Sequence, residues 1–175
     1  MKWEHLAHVL RASAAITQET SFVVIGSQSV LLSHPNAPED LLLSNEVDLY
    51  PAMHPERAEL IEGAIGQLSM FHDTFGYHAD GVGPETAKMP ADWMRFSQLH
   101  YLGELTVIVP DLHDIAVSKC VAGCDKDAQW VAALLRHGLI GLPRFIERLR
   151  ALDAGTFDID RLVAWAQRRA SENET

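Results

Sequence analysis

The sequence has little cysteine and no long hydrophobic run. Two cysteines in 175 residues are too few for the disulfide framework of a small secreted protein. No apolar stretch approaches the roughly 18 residues that a membrane-spanning helix needs, and no signal-peptide hydrophobic region occurs. We therefore expect a cytoplasmic protein with reduced thiols and no membrane partner.

Basic side chains are also scarce, with 14 Lys and Arg against 24 Asp and Glu and a formal net charge of −10. This balance disfavours a general nucleic-acid coat protein, because binding to phosphates depends on Lys and Arg. Residues 136–169 differ, since they carry 7 Arg and 4 acids. We expect an ordinary helix surface there, and a weak basic face for a polyanion or an acidic partner is the alternative.

Familiar catalytic loops are missing as well: the sequence contains no G-x-S-x-G, no Walker loop and no G-x-G-x-x-G. A hydrophobic fraction of 47% argues against disorder. The length suits one domain, residues 1–175. We predict an α/β core over 20–110 and a helical part over 111–175, without repeats or low-complexity linkers.

Short apolar runs and helical spacing predict the elements. Strands are expected at 22–25, 46–50, from about 77, and at 105–109. Helices are expected at 3–18, 54–68, 111–123, 125–138, 142–152 and 159–170, the first of the C-terminal ones capped by Asp111 and ended by Gly123. Residues 93–99 are expected to be a short connector.

The stretch FVVIGSQSVLL joins a buried strand to a helix start through Gly26 and Ser27. Glycine permits a tight turn and a close ligand approach. Free N–H groups and the positive end of a helix dipole favour an anion such as phosphate. Alternatively, Gln28 and Ser29 are ordinary residues of a first helical turn.

The next predicted strand, EVDLYP, begins with two carboxylates. Side chains two apart share a face of a strand, so Glu46 and Asp48 point together. Two like charges this close are costly unless a cation lies between them, and carboxylate oxygens suit Mg²⁺. A solvent-facing acidic strand end is the alternative.

The segment FHDTFGYHADGV places His78 and Asp80 on one strand face. A separate zinc site is one interpretation, but histidines in a single sequence are more often hydrogen-bonded structural groups. We expect Asp80 to be a third carboxylate beside Glu46 and Asp48.

A strand, a Gly-Ser turn, a helix and an acidic strand in this order resemble the core of the nucleotidyltransferase (polymerase-beta-like) fold. DLHDIAVSKCVAGCDKD resembles the second signature of a family of small bacterial nucleotidyltransferase-fold proteins. That family is catalogued as a domain of unknown function and is distantly related to AbiEii-type toxins. SNEVDLYP and FHDTFGYHADGVGPETAKMP resemble it too, so the likeness covers about residues 20–140. Cys124 stands where the family pattern has an arginine, which removes a planar phosphate ligand.

The resemblance implies roles for individual residues. Gly26 and Ser27 would cradle nucleotide phosphates, and one or two Mg²⁺ (or Mn²⁺) ions would be held by Glu46, Asp48 and Asp80. Phosphate charge would be neutralised by Lys119 and Lys126, while Asp127 orients Lys126 or assists the acceptor. The alternatives are a solvated helix lysine at 119 and an ordinary first-turn acid at 127. Cys120 and Cys124 are expected to be packing residues.

Two functions remain open. One is an enzyme that transfers a nucleotide from a nucleoside triphosphate to RNA (tRNA for example), protein or a small molecule. Such an enzyme could be the toxin of a toxin–antitoxin or phage-defence pair, with an antitoxin as partner. The other is a catalytically lapsed nucleotidyltransferase fold that binds a nucleotide or a partner protein. The intact order of motifs favours the first, whereas Cys124 and the acidic surface favour the second.

Overall fold

The structure is a computed structural model that describes residues 1–172. Its strands are β1 (Ser21–Val24), β2 (Glu46–Pro51), β3 (His78–Gly81), β4 (Gln98–Leu102) and β5 (Leu105–Val109). Its helices are α1 (Trp3–Thr17), α2 (Val30–Ser33), α3 (Ala58–Ile65), α4 (Met70–Phe75), α5 (Leu112–Ala122), α6 (Asp125–Arg136), α7 (Leu142–Arg150) and α8 (Ile159–Ser171). Short 3₁₀ turns lie at Ser27–Ser29, Glu39–Leu41, Pro55–Arg57 and Trp93–Phe96.

The chain divides into two compact units. The α/β unit comprises Met1–Thr86 and Ser97–Val109. The helical unit comprises Ala87–Phe96 and the chain from Pro110 onwards. Within the described residues, none of the helices combines the length and the apolar character needed to cross a bilayer.

The α/β unit contains a five-stranded mixed sheet of order β3-β2-β1-β5-β4. β1 runs parallel to β5 and antiparallel to β2, β2 runs parallel to β3, and β4 and β5 form an antiparallel pair. The predicted small mixed sheet with helices is therefore confirmed.

One face of this sheet forms the core of the α/β unit. It presents fully buried side chains from the central strands, among them Phe22, Val24, Val47, Leu49 and Val107. Apolar side chains of α1 and α3 join the same cluster. Burying each large side chain contributes roughly 1.5–3 kcal/mol. Since alternate side chains of a strand point to opposite faces, the β2 residues that alternate with Val47 and Leu49 lie on the other face of the sheet.

The helical unit is held partly by a buried ion pair. Arg148 of α7, 4% exposed, donates from Nε to Oδ1 of Asp114 at 2.7 Å and from Nη2 to Asp92 at 2.9 Å. Its guanidinium also lies 4.5 Å from the centre of the Phe96 ring. Burial opposes the charge of Arg148, but hydrogen bonds to the two carboxylates outweigh burial and raise its pKa above the usual value.

The predicted ends of α5 are confirmed. The Asp111 side chain accepts a hydrogen bond from the backbone N–H of His113 at 3.0 Å, as an N-cap does. Gly123 follows the helix in the left-handed conformation, with φ of 69°, which glycine adopts without steric cost.

Three parts of the chain differ from the prediction. The helix predicted at 54–68 is a 3₁₀ turn followed by α3, which ends at Ile65, before Gly66. α4 was not expected, and it forms because Ser69 caps its first turn by accepting from His72 N–H. β4 replaces part of the predicted connector at 93–99, because the strand depends on hydrogen bonds to β5 that the short sequence QLHYL does not indicate by itself.

Candidate active site

The Gly26 turn and the acidic strand are in direct contact. The Ile25 N–H at the end of β1 donates to the Asp48 carbonyl at 3.0 Å. A Cβ built on Gly26 would lie 2.6 Å from Cγ of Asp48 and 3.0 Å from its Cβ, well inside van der Waals contact. Position 26 is therefore glycine because the Asp48 side chain lies directly against its backbone.

The turn after Gly26 is tighter than the sequence predicts. Ser27–Ser29 form a 3₁₀ turn, and the Ser29 N–H donates to the Gly26 carbonyl at 3.1 Å. A four-residue helix, α2, follows, whereas the sequence predicts a helix start over 28–32. So short a helix has little macrodipole, so any anion binding here depends on the backbone and hydroxyl groups of the turn.

Two polar side chains of the turn are buried. Gln28 and Ser29 are both fully buried. Within residues 1–172, neither the Gln28 amide nor the Ser29 hydroxyl has a hydrogen-bond partner. Leaving buried polar groups unpaired costs about 1–3 kcal/mol each. The buried Gln28 and Ser29 side chains therefore destabilise the fold beside the acidic strand β2.

Four polar side chains meet on the sheet face opposite the core. In the parallel pairing of β2 and β3, Asp48 lies opposite Asp80, and Glu46 lies opposite His78. The three acids are half-buried and His78 is buried. The register thus brings together the two carboxylate motifs that the sequence separates by more than 30 residues.

A subset of this group has the spacing of a metal site. Glu46, His78 and Asp80 each offer a ligand atom, and these atoms lie within 4.8 Å of one another. His78 Nε2 is 3.3 Å from Asp80 Oδ1. A divalent ion bonded at about 2.1 Å holds its ligand atoms roughly 3–4 Å apart, so small side-chain rotations bring this group to coordination distance. Two carboxylates and one imidazole fit a divalent cation.

The site differs from the sequence prediction in one residue. The sequence predicts Glu46, Asp48 and Asp80 as ligands, and the group of three in the structure contains His78 in place of Asp48. Asp48 lies on the same face, against Gly26, and its metal role stays a prediction. The alternation H-x-D on β3, matching E-x-D on β2, was the signal by which His78 could have been found.

Three further predicted residues lie in the helical unit. Lys119 Nζ donates to Asp127 Oδ1 at 2.6 Å, and Cys124 Sγ donates to Asp127 Oδ2 at 2.6 Å. Lys119 also lies 5.4 Å from the centre of the Trp130 ring, and its side chain is only 18% exposed. Lys119 is therefore held in place, not freely solvated. Asp127 contacts Lys119 and Cys124, while Lys126 is exposed in the first turn of α6.

Comparison with known proteins relates the chain to a protein family. A family described as "Nucleotidyltransferase of unknown function (DUF6036)" matches residues 4–157. Neither the curated proteins nor the solved structures provide a significant match. The matched range contains every site residue described above. With most of its length matched, the chain belongs to the DUF6036 family of nucleotidyltransferases of unknown function.

Proposed function

We propose that the protein is a metal-dependent nucleotidyltransferase with a polymerase-beta-like core. It would transfer a nucleotide from a nucleoside triphosphate to an RNA, a protein or a small molecule. The observation that carries the proposal is the contact between Gly26 and the Asp48 carboxylate, in register with Asp80 on the neighbouring strand. A turn suited to phosphate and a carboxylate group suited to a cation thus adjoin each other.

The reaction is an in-line displacement at the α-phosphorus. The acceptor hydroxyl loses its proton to solvent and its oxygen forms a bond to phosphorus, while the bond to the β-phosphate oxygen breaks and releases pyrophosphate. When bound, a Mg²⁺ or Mn²⁺ ion would neutralise phosphate charge and lower the pKa of the acceptor hydroxyl. Glu46, Asp48 and Asp80 would hold that ion, and the backbone of Gly26 and the Ser27 hydroxyl would donate hydrogen bonds to the phosphates.

The predicted phosphate-binding lysines lie on α5 and α6. Lys119 and Lys126 would neutralise triphosphate charge. Asp127 supports the role of Lys119, because a 2.6 Å ion pair fixes the position of its ammonium group. We keep for Asp127 the predicted alternatives of orienting Lys126 or assisting the acceptor.

One observation favours a second candidate function, a lapsed enzyme that binds a nucleotide or a partner protein. Cys124 stands where the resemblance places an arginine, and its thiol donates to Asp127. A thiol cannot make the bidentate phosphate contacts of a guanidinium. Cysteine in place of arginine at this position is what we expect of a chain that still binds nucleotide but transfers it poorly.

The deciding experiment is incorporation of α-labelled nucleotide. All four triphosphates are offered with Mg²⁺ or Mn²⁺ to total RNA, total protein and the protein itself. We expect Asp48→Asn to lower transfer about 100-fold or more, because it removes a carboxylate charge that would hold the metal ion. The exposed Asp73, changed to Asn, is the matched control and should leave transfer unchanged.

Cys124→Arg separates the two candidate functions. In an active enzyme it should leave transfer unchanged or raise it, since the guanidinium adds phosphate contacts. If wild type and Cys124→Arg transfer nothing to any acceptor while nucleotide still binds, the lapsed enzyme is the correct description. Full activity in Asp48→Asn would show that the site is wrongly assigned. If the protein is a toxin with an antitoxin partner, we expect the label to appear in an RNA or a protein acceptor.

A further inference from the structure

A buried imidazole lies among the carboxylates of the candidate site. His78 is 6% exposed and lies opposite Glu46 in the register of β2 and β3. Its ligand nitrogen lies within 4.8 Å of carboxylate oxygens from both Glu46 and Asp80. The imidazole therefore belongs to the same cluster of potential metal ligands as the two carboxylates.

The hydrogen bonding of His78 is not that of a structural histidine. Within residues 1–172 its Nδ1 has no hydrogen-bond partner, and its Nε2 faces Asp80 Oδ1 at 3.3 Å. By contrast, His113 uses both nitrogens: Nδ1 lies 2.7 Å from Asp111 Oδ1, and Nε2 accepts from the Gly141 N–H at 3.0 Å. Buried polar atoms are normally paired, so hydrogen bonds do not account for the burial of the His78 ring.

Ring packing holds His78 in this position. The His72 ring lies 4.5 Å from it, centre to centre. His72 is itself fixed by a hydrogen bond from the Leu68 N–H to its Nδ1 at 3.1 Å. The His78 ring is thus positioned before any ligand binds, with Nε2 directed at the carboxylates.

We infer that His78 is a nitrogen ligand of the metal in this site and that it makes the site select Mn²⁺ over Mg²⁺. The inference deepens the proposed function and rests on its metal site. Mg²⁺ prefers an all-oxygen shell, whereas imidazole nitrogen suits first-row transition ions. Mn²⁺ also accepts carboxylate oxygens, so two carboxylates and one imidazole suit it better than they suit Mg²⁺.

The competing explanation is that His78 is only a counter-charge. A protonated imidazole beside Asp80 would offset carboxylate repulsion without any metal. The two explanations differ in one observable, a bond between the metal and nitrogen. The test must therefore detect that bond directly.

The test uses the full chain with Mn²⁺ alone as the probe. Titration followed by electron paramagnetic resonance gives the Mn²⁺ affinity, and competition gives the Mg²⁺ affinity. Pulsed measurements on the bound ion detect modulation by a coordinated ¹⁴N nucleus. His78→Gln removes the imidazole, and His54→Gln, at a largely exposed position, is the matched control.

We expect Mn²⁺ to bind wild type at least tenfold more tightly than Mg²⁺, with ¹⁴N modulation. His78→Gln should lose the modulation and weaken Mn²⁺ binding at least about 10-fold, because loss of even an outer-shell partner of a metal ligand costs roughly 10–100-fold. Its Mg²⁺ affinity should change much less. His54→Gln should match wild type throughout.

Three results would overturn the inference: bound Mn²⁺ without ¹⁴N modulation in wild type, unchanged Mn²⁺ affinity in His78→Gln, or no Mn²⁺ binding with or without nucleotide. The wild-type spectrum decides the matter even if His78→Gln fails to fold. Nitrogen-coupled Mn²⁺ in a protein that transfers no nucleotide would keep the inference and remove the enzymatic proposal. Active transfer without nitrogen coupling would do the reverse.

Discussion

Replacing the buried Gln28 should make the protein more stable and leave nucleotide binding unchanged. Gln28 is fully buried, and within residues 1–172 neither its amide nitrogen nor its amide oxygen has a hydrogen-bond partner. Methionine has nearly the same shape and no such polar groups. Gln28→Met therefore removes the unpaired groups and leaves the packing almost unchanged.

The magnitude follows from two opposing terms. Unpaired buried polar groups cost about 1–3 kcal/mol, while a volume-conserving exchange costs less than about 1.5 kcal/mol. We expect the free energy of unfolding to rise by about 1 kcal/mol, which corresponds to an increase in Tm of roughly 2–4 °C for a chain of this length. Nucleotide affinity should stay unchanged, because a fully buried amide does not contact the ligand.

Thermal unfolding followed by circular dichroism measures the first effect, and calorimetric titration with a nucleoside triphosphate and Mn²⁺ measures the second. Ser13 of α1 is the matched control, because its hydroxyl is also buried and has no partner within the described residues. Ser13→Ala should preserve nucleotide affinity. If Gln28→Met lowers Tm, the amide is not a destabilising group. If Gln28→Met weakens nucleotide binding, the amide reaches the ligand and the account of the turn is wrong.

The remaining predictions concern the ion pair, the thiols and the glycine turn. Arg148→Met should lower the free energy of unfolding by about 3–5 kcal/mol at pH 7, because it leaves Asp114 buried and unpaired. Burial already raises the pKa of Asp114, so the folded variant binds more protons than the unfolded chain as the pH falls. Urea unfolding should therefore show a smaller loss of stability at pH 4.5 than at pH 7. An equal loss of stability at both pH values would exclude the ion pair as the cause. Burial raises the pKa of Cys120 to about 12, so a thiol reagent at pH 8 should label only the other cysteine, and mass spectrometry that finds Cys120 modified in the folded protein would refute this. Gly26→Ala should lower the free energy of unfolding by about 1–3 kcal/mol through steric overlap and should weaken Mn²⁺ binding. Gly63→Ala, where a Cβ meets open space, should instead stabilise α3 by up to about 1 kcal/mol. Equal effects of the two changes would contradict the close contact at Gly26.

Local sequence predicts much of this fold, because several elements depend on residues that are near one another in the chain. The apolar run 22–25 and the alternation after Leu105 give β1 and β5. Asp111 and Gly123 mark the ends of α5. β4 escaped prediction because its side chains are all exposed or half-buried and its structure depends on pairing across the turn at Gly103, where φ is 64°.

The candidate site was predictable only in part. E-x-D on β2 and the Gly26 turn are visible in the sequence, and so is the need for a nearby third acid. The position of His78 beside Glu46 depends on the parallel register of β2 and β3, and strand register between distant segments is a tertiary property. The pairing of Lys119 with Asp127 likewise depends on the angle between two helices.

The central claim is that one face of β2 and β3 holds a divalent ion beside a phosphate-binding turn. Anomalous diffraction at the manganese edge tests it most directly, on crystals grown with Mn²⁺ and a non-hydrolysable nucleoside triphosphate. The account predicts a manganese peak at coordination distance from Glu46, His78 and Asp80, with the triphosphate against Gly26 and Ser27. Manganese peaks only elsewhere, or a triphosphate bound away from this turn, would contradict it.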